Sequence, residues 1–352
     1  MSDDILIERQ GALGIVTLNR PQALNTLSLA MYRRFDPALA AWAGDPAVRA
    51  ALVRGAGGRA FCAGGDVVAI YEARGEAAAQ GGYKEDFFRE EYQLIRRVHR
   101  FPKPFVALMD GITMGGGAGV AVNGHFRVAT ERTLFAMPEV HIGLFPDVAA
   151  TRFLTLCPGR IGLYLGLTGT RIGAADALYC GFATHFVPHD RLDALTATLA
   201  ALGDGTDTAV ERVLAAHAGD PGAASLPPLR PALDRCFAGT SVEAILDTLA
   251  RERESWAVEA RDATARASPL SLKLVHRQLT QHPGLTVEEA LQLEYRMTQH
   301  AMAGHDFFEG IRAALIDKDR TPHWQHRSLA DVTEAEVAAF FVPIGTRELR
   351  FD

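Results

Sequence analysis

Hydrophobic residues in the first half of the chain fall into short runs whose spacing alternates between that of strands and that of helices. ILIERQ and ALGIVTL flank Gly11 and predict two strands joined by a turn. SLAMYRRFDPALAAWAG has apolar residues at helical spacing, with Pro37 as an internal irregularity. AVRAALVRG, FVALMDG, FRVAT and TLFAMP have strand length, and MGGGAGVAVNG predicts a buried helix entered by glycines. This alternation predicts an α/β fold.

The second half of the chain has a different, mainly helical pattern. DRLDALTATLAALGDG is amphipathic, and residues 203–228, rich in Gly, Asp, Ala and Pro, predict a loop or a hinge between domains. Helix starts are predicted by an N-cap before a proline and by three spacings of the capping-box type, in Ser268-Pro269, Thr286…Glu289, Asp306…Glu309 and Thr333…Glu336. We therefore predict an α/β core over residues 1–202 and a mainly helical region over 203–352.

The amino-acid composition of the chain argues against several classes of function. The chain has 352 residues, 36 basic against 42 acidic, and a formal net charge of −6, so a nucleic acid partner is not expected. Its four cysteines are scattered without metal-ligand spacing, which predicts reduced thiols and no metal. No apolar run is long enough for a membrane span, and MSDDILIERQ resembles neither a signal nor a transit peptide, so we expect a cytoplasmic protein.

Two glycine-rich segments follow predicted strands, 55-GAGGRAFCAGGD-66 and 111-GITMGGGAGVAVNG-124. The first formally fits G-x-G-x-x-A, but Phe61, Cys62 and further glycines stand where a dinucleotide fold requires a helix. An alternative is an oxyanion site, in which two backbone N–H groups stabilise negative charge on a carbonyl oxygen. On spacing alone, simple turns are the more common explanation of these glycines.

The stretch 136-AMPEVHIGLFPDV-148 places two acids, Glu139 and Asp147, among apolar residues and after prolines. Two carboxylates close together in an apolar pocket would raise the pKa of one of them. By themselves, Glu139 is more typical of an acid at a helix start and Asp147 of an aspartate in a turn.

AFCAGGD, GGGAG and MPEVHIG together resemble the crotonase (enoyl-CoA hydratase/isomerase) superfamily. FREEY, FPDV and DKDRTPHW are similar to one branch of it, the hydrolases of 3-hydroxyisobutyryl-CoA, and the similar stretches run from residue 17 to about 324. The resemblance implies a spiral of β-β-α units with a helical C-terminal region. It also implies an acyl-CoA substrate bound by the α/β core, oxyanion donors at the backbone N–H groups of Gly65 and Gly116, and neither a metal nor a redox cofactor.

One departure from the hydratases is informative. Hydratases carry two catalytic glutamates, at the positions of Gly119 and Glu139, and commonly a small residue where this chain has Asp147. The hydrolase branch likewise lacks the first glutamate and has an acid at the position of Asp147. The resemblance therefore implies hydrolysis of a short branched 3-hydroxyacyl-CoA, most of all 3-hydroxyisobutyryl-CoA in valine catabolism. A hydratase, isomerase or decarboxylase, and an inactive CoA-binding protein, are the alternatives.

The resemblance also implies roles for individual side chains. Glu139 would carry acyl transfer, as nucleophile or as general base, and Asp147 would bind the substrate hydroxyl or orient Glu139 or water. Glu91 would contact the substrate, and Asp66 would stabilise the first glycine loop. His141 and Cys62 are expected to be packing residues.

At the CoA end, the resemblance places Arg20 near the phosphates or the adenine, with Ala23 and Leu24 lining the adenine side. Lys318 would reach the nucleotide, in some relatives from a neighbouring subunit. We expect Arg20 and Lys318 to form a local basic patch that the net charge conceals. Trimers or larger homo-oligomers are common in the superfamily, and one sequence does not fix the assembly.

Overall fold

The computed structural model describes residues 4–75 and 82–351. Its strands are β1 Ile5–Gln10, β2 Leu13–Leu18, β3 Ala50–Gly55, β4 Ala60–Cys62, β5 Phe105–Met109, β6 Ile112–Met114, β7 Phe126–Ala129, β8 Leu134–Ala136 and β9 His185–Phe186. Its α-helices are α1 Leu29–Gly44, α2 Val67–Glu72, α3 Tyr83–His99, α4 Gly116–Val122, α5 Ala150–Thr155, α6 Ile161–Thr168, α7 Ala174–Tyr179, α8 Leu192–Ala200, α9 Asp207–His217, α10 Leu226–Cys236, α11 Val242–Leu249, α12 Ser255–Arg266, α13 Pro269–Gln281, α14 Val287–Ala303, α15 Asp306–Ile311 and α16 Glu334–Ala339. The predicted α/β class is confirmed.

The strands form two sheets. The larger has the order β1-β2-β3-β5-β7-β9, and β1 pairs antiparallel with β2, with Ile5 opposite Leu18. The remaining pairs in this sheet are parallel, beginning with Leu13 opposite Ala50. The smaller sheet has the order β4-β6-β8, and β4 runs parallel to β6. β4 and β6 lie inside the two glycine-rich segments. Because these strands are parallel neighbours, the glycines that follow each of them lie at the same end of the sheet.

A buried apolar cluster joins the larger sheet to α8 and α9. It contains Leu13 and Ile15 of β2, Leu52 of β3, Val106 of β5, Leu192, Leu195 and Leu199 of α8, and Val210 and Leu214 of α9. The loop predicted over residues 203–228 was wrong for Asp207–His217, which form α9. Residues 218–225 have neither helix nor strand, and the boundary between two compact units of the chain, at Ser225 and Leu226, lies inside the predicted range. Thr206 caps α9 by accepting a hydrogen bond from Ala209 N–H at 3.2 Å, and the two buried residues of this helix, Val210 and Leu214, stand at helical spacing.

The predicted helix caps are confirmed at three of four places. Ser268, Thr286 and Thr333 each accept a hydrogen bond from the first turn of α13, α14 and α16, and the last two form complete capping boxes. The prediction for Asp306 was wrong, since it is the first residue of α15 and not its cap. Its carboxylate instead accepts hydrogen bonds from Ser268 Oγ at 2.6 Å and from Gln325 N–H at 2.8 Å.

The chain divides into two compact units that alternate along the sequence. The first unit comprises the described residues of Met1–Asp66, Glu90–Phe135 and Ile172–Ser225, and the second those of Val67–Arg89, Ala136–Arg171 and Leu226–Asp352. From residue 203 onward the described residues form helices and no strand. The boundary at residues 202 and 203 stays a prediction. None of the helices described here has the length and apolar character needed to cross a membrane.

Candidate active site

The two glycine loops meet in the first unit. The loop after β4 contains Gly64, whose φ is +121°. A Cβ built on Gly64 would lie 3.6 Å from Met114 O and 3.8 Å from Gly116 N, so this loop runs directly beside the start of α4. A close backbone approach of this kind suits glycine, which has no side chain to keep the two segments apart.

The backbone N–H groups of Gly65 and Gly116 are not used by the β-bridge and the helix to which these residues belong. Leu27 and Gly65 form a parallel bridge, in which Leu27 N–H donates to Gly64 O and Asp66 N–H donates to Leu27 O, both at 2.9 Å. In this pattern the N–H of Gly65 points away from Leu27. Gly116 is the first residue of α4, and the first N–H groups of a helix have no partner within it. Both groups can therefore donate to a ligand.

Glu91 of α3 and Tyr32 of α1 lie next to Gly116. A Cβ built on Gly116 would lie 2.3 Å from Glu91 Oε1, 3.2 Å from Gly65 N and 3.4 Å from Tyr32 Oη. Tyr32 Oη donates to Glu91 Oε1 at 2.6 Å, and both side chains are buried. Gly65, Gly116 and Glu91, all predicted from the sequence, are thus brought together. Tyr32 was not predicted, because in SLAMYRRF it is only an apolar position of an amphipathic helix.

The segment that carries Arg20, Ala23 and Leu24 is bound to the first glycine loop. Ala63 N–H donates to Leu24 O at 3.0 Å, and Arg20 Nη1 donates to Asp66 Oδ2 at 2.9 Å. Asp66 therefore supports the loop by fixing Arg20, in line with its predicted structural role. Because the guanidinium of Arg20 already binds Asp66, its contact with CoA stays a prediction.

Cys62 stands inside the first glycine-rich segment and is fully buried. Its thiol donates to Gly64 O at 3.4 Å. Burial raises the pKa of this thiol to about 12, so it is protonated at neutral pH. A neutral thiol is a poor nucleophile, which agrees with the expected packing role.

Glu139 belongs to the second unit and begins a short 3-10 helix, Glu139–Ile142. Its side chain is buried, with 5% of its surface exposed. Leu144 N–H donates to Glu139 O at 3.0 Å, and Ser268 N–H donates to Val140 O at 3.1 Å. The segment that presents this carboxylate is therefore bound to the start of α13.

His141 does not form the relay that its position beside Glu139 in the sequence would permit. Its Nε2–H donates to Thr168 O at 3.0 Å, the last residue of α6. Burial lowers the pKa of His141, so the ring is neutral at neutral pH. This hydrogen bond agrees with the expected packing role.

Asp147, also buried, precedes two residues in the left-handed region, Val148 at φ +57° and Ala149 at φ +70°. This conformation costs about 1–2 kcal/mol for each L-residue, and it is rare for a β-branched one. Two side chains missed by sequence reasoning, Glu294 of α14 and Gln278 of α13, bind the backbone around this turn. Burial raises the pKa of Glu294 to about 8, hydrogen bonds from Thr151 and Ala149 oppose that rise, and the charge of Asp147 adds to it.

Lys318 lies in the exposed segment after the π-helix Arg312–Ile316. The acids on either side of it, Asp317 and Asp319, accept hydrogen bonds from Arg312 at 2.6 and 2.7 Å. The ammonium group of Lys318 is thus in solvent, and its contact with the nucleotide stays a prediction.

Comparison with known proteins places this chain in a family. The family model described as enoyl-CoA hydratase/isomerase matches residues 13–341. The chain belongs to this family. Within it, the chain is 45% identical to the mitochondrial 3-hydroxyisobutyryl-CoA hydrolase of Rattus norvegicus, over 99% of this chain and 91% of that protein. It is 42% identical to the enzyme of the same name from Homo sapiens, again over 99% and 91%.

Two solved structures of this family resemble the fold over nearly the whole chain. A carnitinyl-CoA dehydratase from Mycobacterium thermoresistibile has a TM-score of 0.92 and 42% identity, with 100% of this chain and 99% of that chain covered. An enoyl-CoA hydratase from Rhodobacter sphaeroides 2.4.1 has a TM-score of 0.89 and 42% identity, with 99% and 100% covered. The crotonase fold expected from the glycine loops and MPEVHIG is therefore confirmed.

Proposed function

We propose that this chain is a thioester hydrolase that converts 3-hydroxyisobutyryl-CoA and water into 3-hydroxyisobutyrate and CoA. The observation that carries the proposal is Gly119, a buried residue in the middle of α4. A glycine there supplies no carboxylate, whereas the hydratases that this chain resembles use one at this position. The name shared by the rat and human relatives supports the same activity.

The two solved relatives are named as a hydratase and a dehydratase, so hydration is the competing function. Adding water across a double bond requires one group to activate water and another to protonate carbon. Gly119 cannot serve as either. Thioester hydrolysis needs fewer catalytic side chains, because the thiolate leaves readily and one carboxylate can activate the attacking group.

In the proposed reaction, the thioester oxygen accepts hydrogen bonds from the backbone N–H groups of Gly65 and Gly116. Attack on the carbonyl carbon places negative charge on this oxygen, and fixed N–H donors stabilise that charge more than they stabilise the neutral carbonyl. The partial positive charge at the start of α4 stabilises the same negative oxygen. These donors therefore lower the barrier to attack.

Glu139 acts on the thioester carbonyl by one of two routes, as nucleophile or as general base. Its carboxylate oxygen can bond to the carbonyl carbon, expel the CoA thiolate and form a mixed anhydride that water then hydrolyses. Alternatively it takes a proton from water, hydroxide attacks the carbonyl carbon, and that proton passes to the departing thiolate. In the anhydride route, attack of water on the Glu139 carbonyl carbon of the anhydride releases the product and leaves one water oxygen in Glu139. A single turnover in ¹⁸O-labelled water that places ¹⁸O in the peptide containing Glu139 therefore establishes this route, because the general-base route puts the water oxygen only into the product.

Asp147 and Glu91 are the proposed partners of the substrate's 3-hydroxyl group. A buried carboxylate that accepts from a substrate hydroxyl rejects analogues without one, because the carboxylate is then desolvated and unsatisfied. Tyr32 already donates to Glu91 Oε1, which orients this carboxylate before substrate binds. We therefore expect a preference for 3-hydroxyacyl over simple acyl thioesters.

The proposal is tested by offering 3-hydroxyisobutyryl-CoA and crotonyl-CoA side by side. We expect thiol release from the first and little loss of enoyl absorbance from the second. Loss of enoyl absorbance without thiol release would establish a hydratase instead. No thiol release across a panel of acyl-CoA thioesters would favour an inactive CoA-binding protein.

At the CoA end we propose that Arg20 and Lys318 bind the nucleotide, with Ala23 and Leu24 against the adenine. Lys318→Gln is then expected to raise KM for the acyl-CoA with little change in kcat, since it removes binding that is equal in the ground and transition states. Arg20→Gln should also raise KM, and in addition lower kcat, because Arg20 holds Asp66 beside Gly65. Arg9→Gln, at an exposed position of β1, is the control. An unchanged KM in both variants would contradict this assignment.

Several features of the proposed role rest on the sequence and the family alone. We place the reaction in valine catabolism, as the step that releases 3-hydroxyisobutyrate, and expect neither a metal nor a redox cofactor. The cytoplasmic location stays a prediction, and the curated relatives are named as mitochondrial proteins. A homo-oligomer also stays a prediction, which light scattering after size-exclusion chromatography would measure.

A further inference from the structure

The turn after Asp147 requires an explanation beyond the short segment that contains it. Val148 and Ala149 are both fully buried and both left-handed, at φ +57° and +70°. L-residues avoid this region, and a β-branched residue avoids it most. Two such residues in succession persist only where the surroundings hold them, and such positions concentrate at functional sites.

Glu294, which stands 145 residues after Ala149 in the chain, binds the backbone of this turn. Its Oε2 accepts from Ala149 N–H at 2.6 Å, and its Oε1 accepts from Thr151 N–H at 2.8 Å and Thr151 Oγ1 at 2.7 Å. The side chain is fully buried. Its three hydrogen bonds thus fix the backbone immediately after Asp147.

Gln278 holds the other side of the same turn. Its Nε2 donates to Pro146 O at 2.7 Å and to Thr151 Oγ1 at 2.8 Å, and it too is fully buried. Pro146 and Ala149 are therefore both bound to side chains of the C-terminal helices. Asp147 lies between these two anchored points.

We propose that Glu294 is a positioning residue that holds the left-handed Val148–Ala149 turn and thereby sets the direction of the Asp147 carboxylate. The inference rests on the proposed function in so far as Asp147 acts on the substrate. A carboxyl group suits the task, since it offers an acceptor oxygen to Ala149 N–H and another to Thr151. A glutamine would present its NH₂ group to one of these two N–H groups in either orientation.

Glu294→Gln is the direct test, because it preserves the shape of the side chain. We expect hydrogen exchange in the peptide covering residues 146–151 to become faster, and kcat to fall about tenfold to a hundredfold with a change in KM of less than about threefold. Asp176→Asn is the matched control, a buried acid in the first unit that accepts from Ser225 Oγ at 2.6 Å. It should leave both readouts unchanged.

A second change separates positioning from general support of the fold. Glycine adopts φ near +70° without a steric penalty, so Ala149→Gly should lessen the need for Glu294. We expect Ala149→Gly combined with Glu294→Gln to recover at least about threefold in kcat over Glu294→Gln alone. Loss of packing alone would not be restored by removing a methyl group.

The outcomes decide the proposal. Glu294→Gln with kcat within about twofold of wild type, or without faster exchange at residues 146–151, overturns it, as does a double variant that recovers nothing. If Glu294→Gln does not fold, Thr151→Val is measured in the same way and judged by the same two criteria; it removes one donor to Glu294 and one acceptor from Gln278. If wild type hydrolyses no thioester, the proposed function has failed, while hydrogen exchange still decides whether Glu294 holds the turn.

Discussion

Replacing Glu139 with glutamine is expected to lower kcat for thiol release from 3-hydroxyisobutyryl-CoA by about 10²–10⁴-fold. The amide keeps the size of the side chain but can neither attack the thioester carbonyl nor take a proton from water. KM is expected to change little, because the lost interaction belongs to the transition state. Asp147→Asn should lower kcat less, since hydrogen bonding of the substrate or of water is only weakened by the amide.

Free-thiol detection under saturating substrate measures this effect directly. Glu243→Gln serves as control, since Glu243 is a solvent-accessible acid of α11 that pairs with Lys273 at 2.9 Å. Its kcat should equal that of wild type. If neither Glu139→Gln nor Asp147→Asn lowered kcat tenfold, about 1.4 kcal/mol of barrier, the assignment of both acids would be wrong.

Where the pattern of apolar residues was regular, the sequence allowed the fold to be predicted. The apolar runs ALGIVTL and FVALMDG became β2 and β5, and MGGGAGVAVNG became the buried helix α4. Residues 207–217 were wrongly predicted as part of a loop, because the composition of residues 203–228 resembles a loop. Val210 and Leu214, four residues apart on α9, carried a weaker but correct signal, since helical spacing places them on one face.

The candidate site was only partly predictable, for a related reason. Gly65, Gly116 and Glu91 stand in recognisable motifs, and the structure places them together. Tyr32 and Glu294 stand in ordinary amphipathic helices, and their partners are 59 and 143–145 residues away. No local pattern reports such a distant hydrogen bond, so a single sequence cannot identify either residue.

The C-terminal helices support both acids of the second unit. Ser268, the cap of α13, donates its N–H to Val140 O beside Glu139, and Asp306 holds the Ser268 hydroxyl. Glu294 of α14 binds Ala149, two residues beyond Asp147. The helices after residue 226 therefore bind the backbone segments that carry Glu139 and Asp147, the two acids of AMPEVHIGLFPDV.

Gly116→Ala is expected to reduce kcat by about 10²–10³-fold, the loss typical of one oxyanion donor. The new Cβ would lie 2.3 Å from Glu91 Oε1 and 3.2 Å from Gly65 N. Glu91 would have to move, which breaks its 2.6 Å hydrogen bond with Tyr32, and the methyl group would stand beside the Gly65 amide. The substitution thus disturbs both the proposed oxyanion donors and the carboxylate assigned to the substrate hydroxyl.

This loss should occur without unfolding, and that separates it from a general defect. Alanine favours a helix more than glycine does, by up to about 1 kcal/mol, so the change itself does not weaken α4. The control is Gly44→Ala at the end of α1, where a Cβ would meet nothing within 4 Å. We expect Gly44→Ala to keep the wild-type Tm and kcat. Gly116→Ala should stay folded, with a Tm lowered by several degrees at most because its Glu91–Tyr32 hydrogen bond is lost, and only this variant should lose kcat. A Gly116→Ala enzyme with wild-type kcat would contradict the assignment of Gly116, because the methyl group would stand 3.2 Å from the Gly65 amide nitrogen and 2.3 Å from Glu91 Oε1.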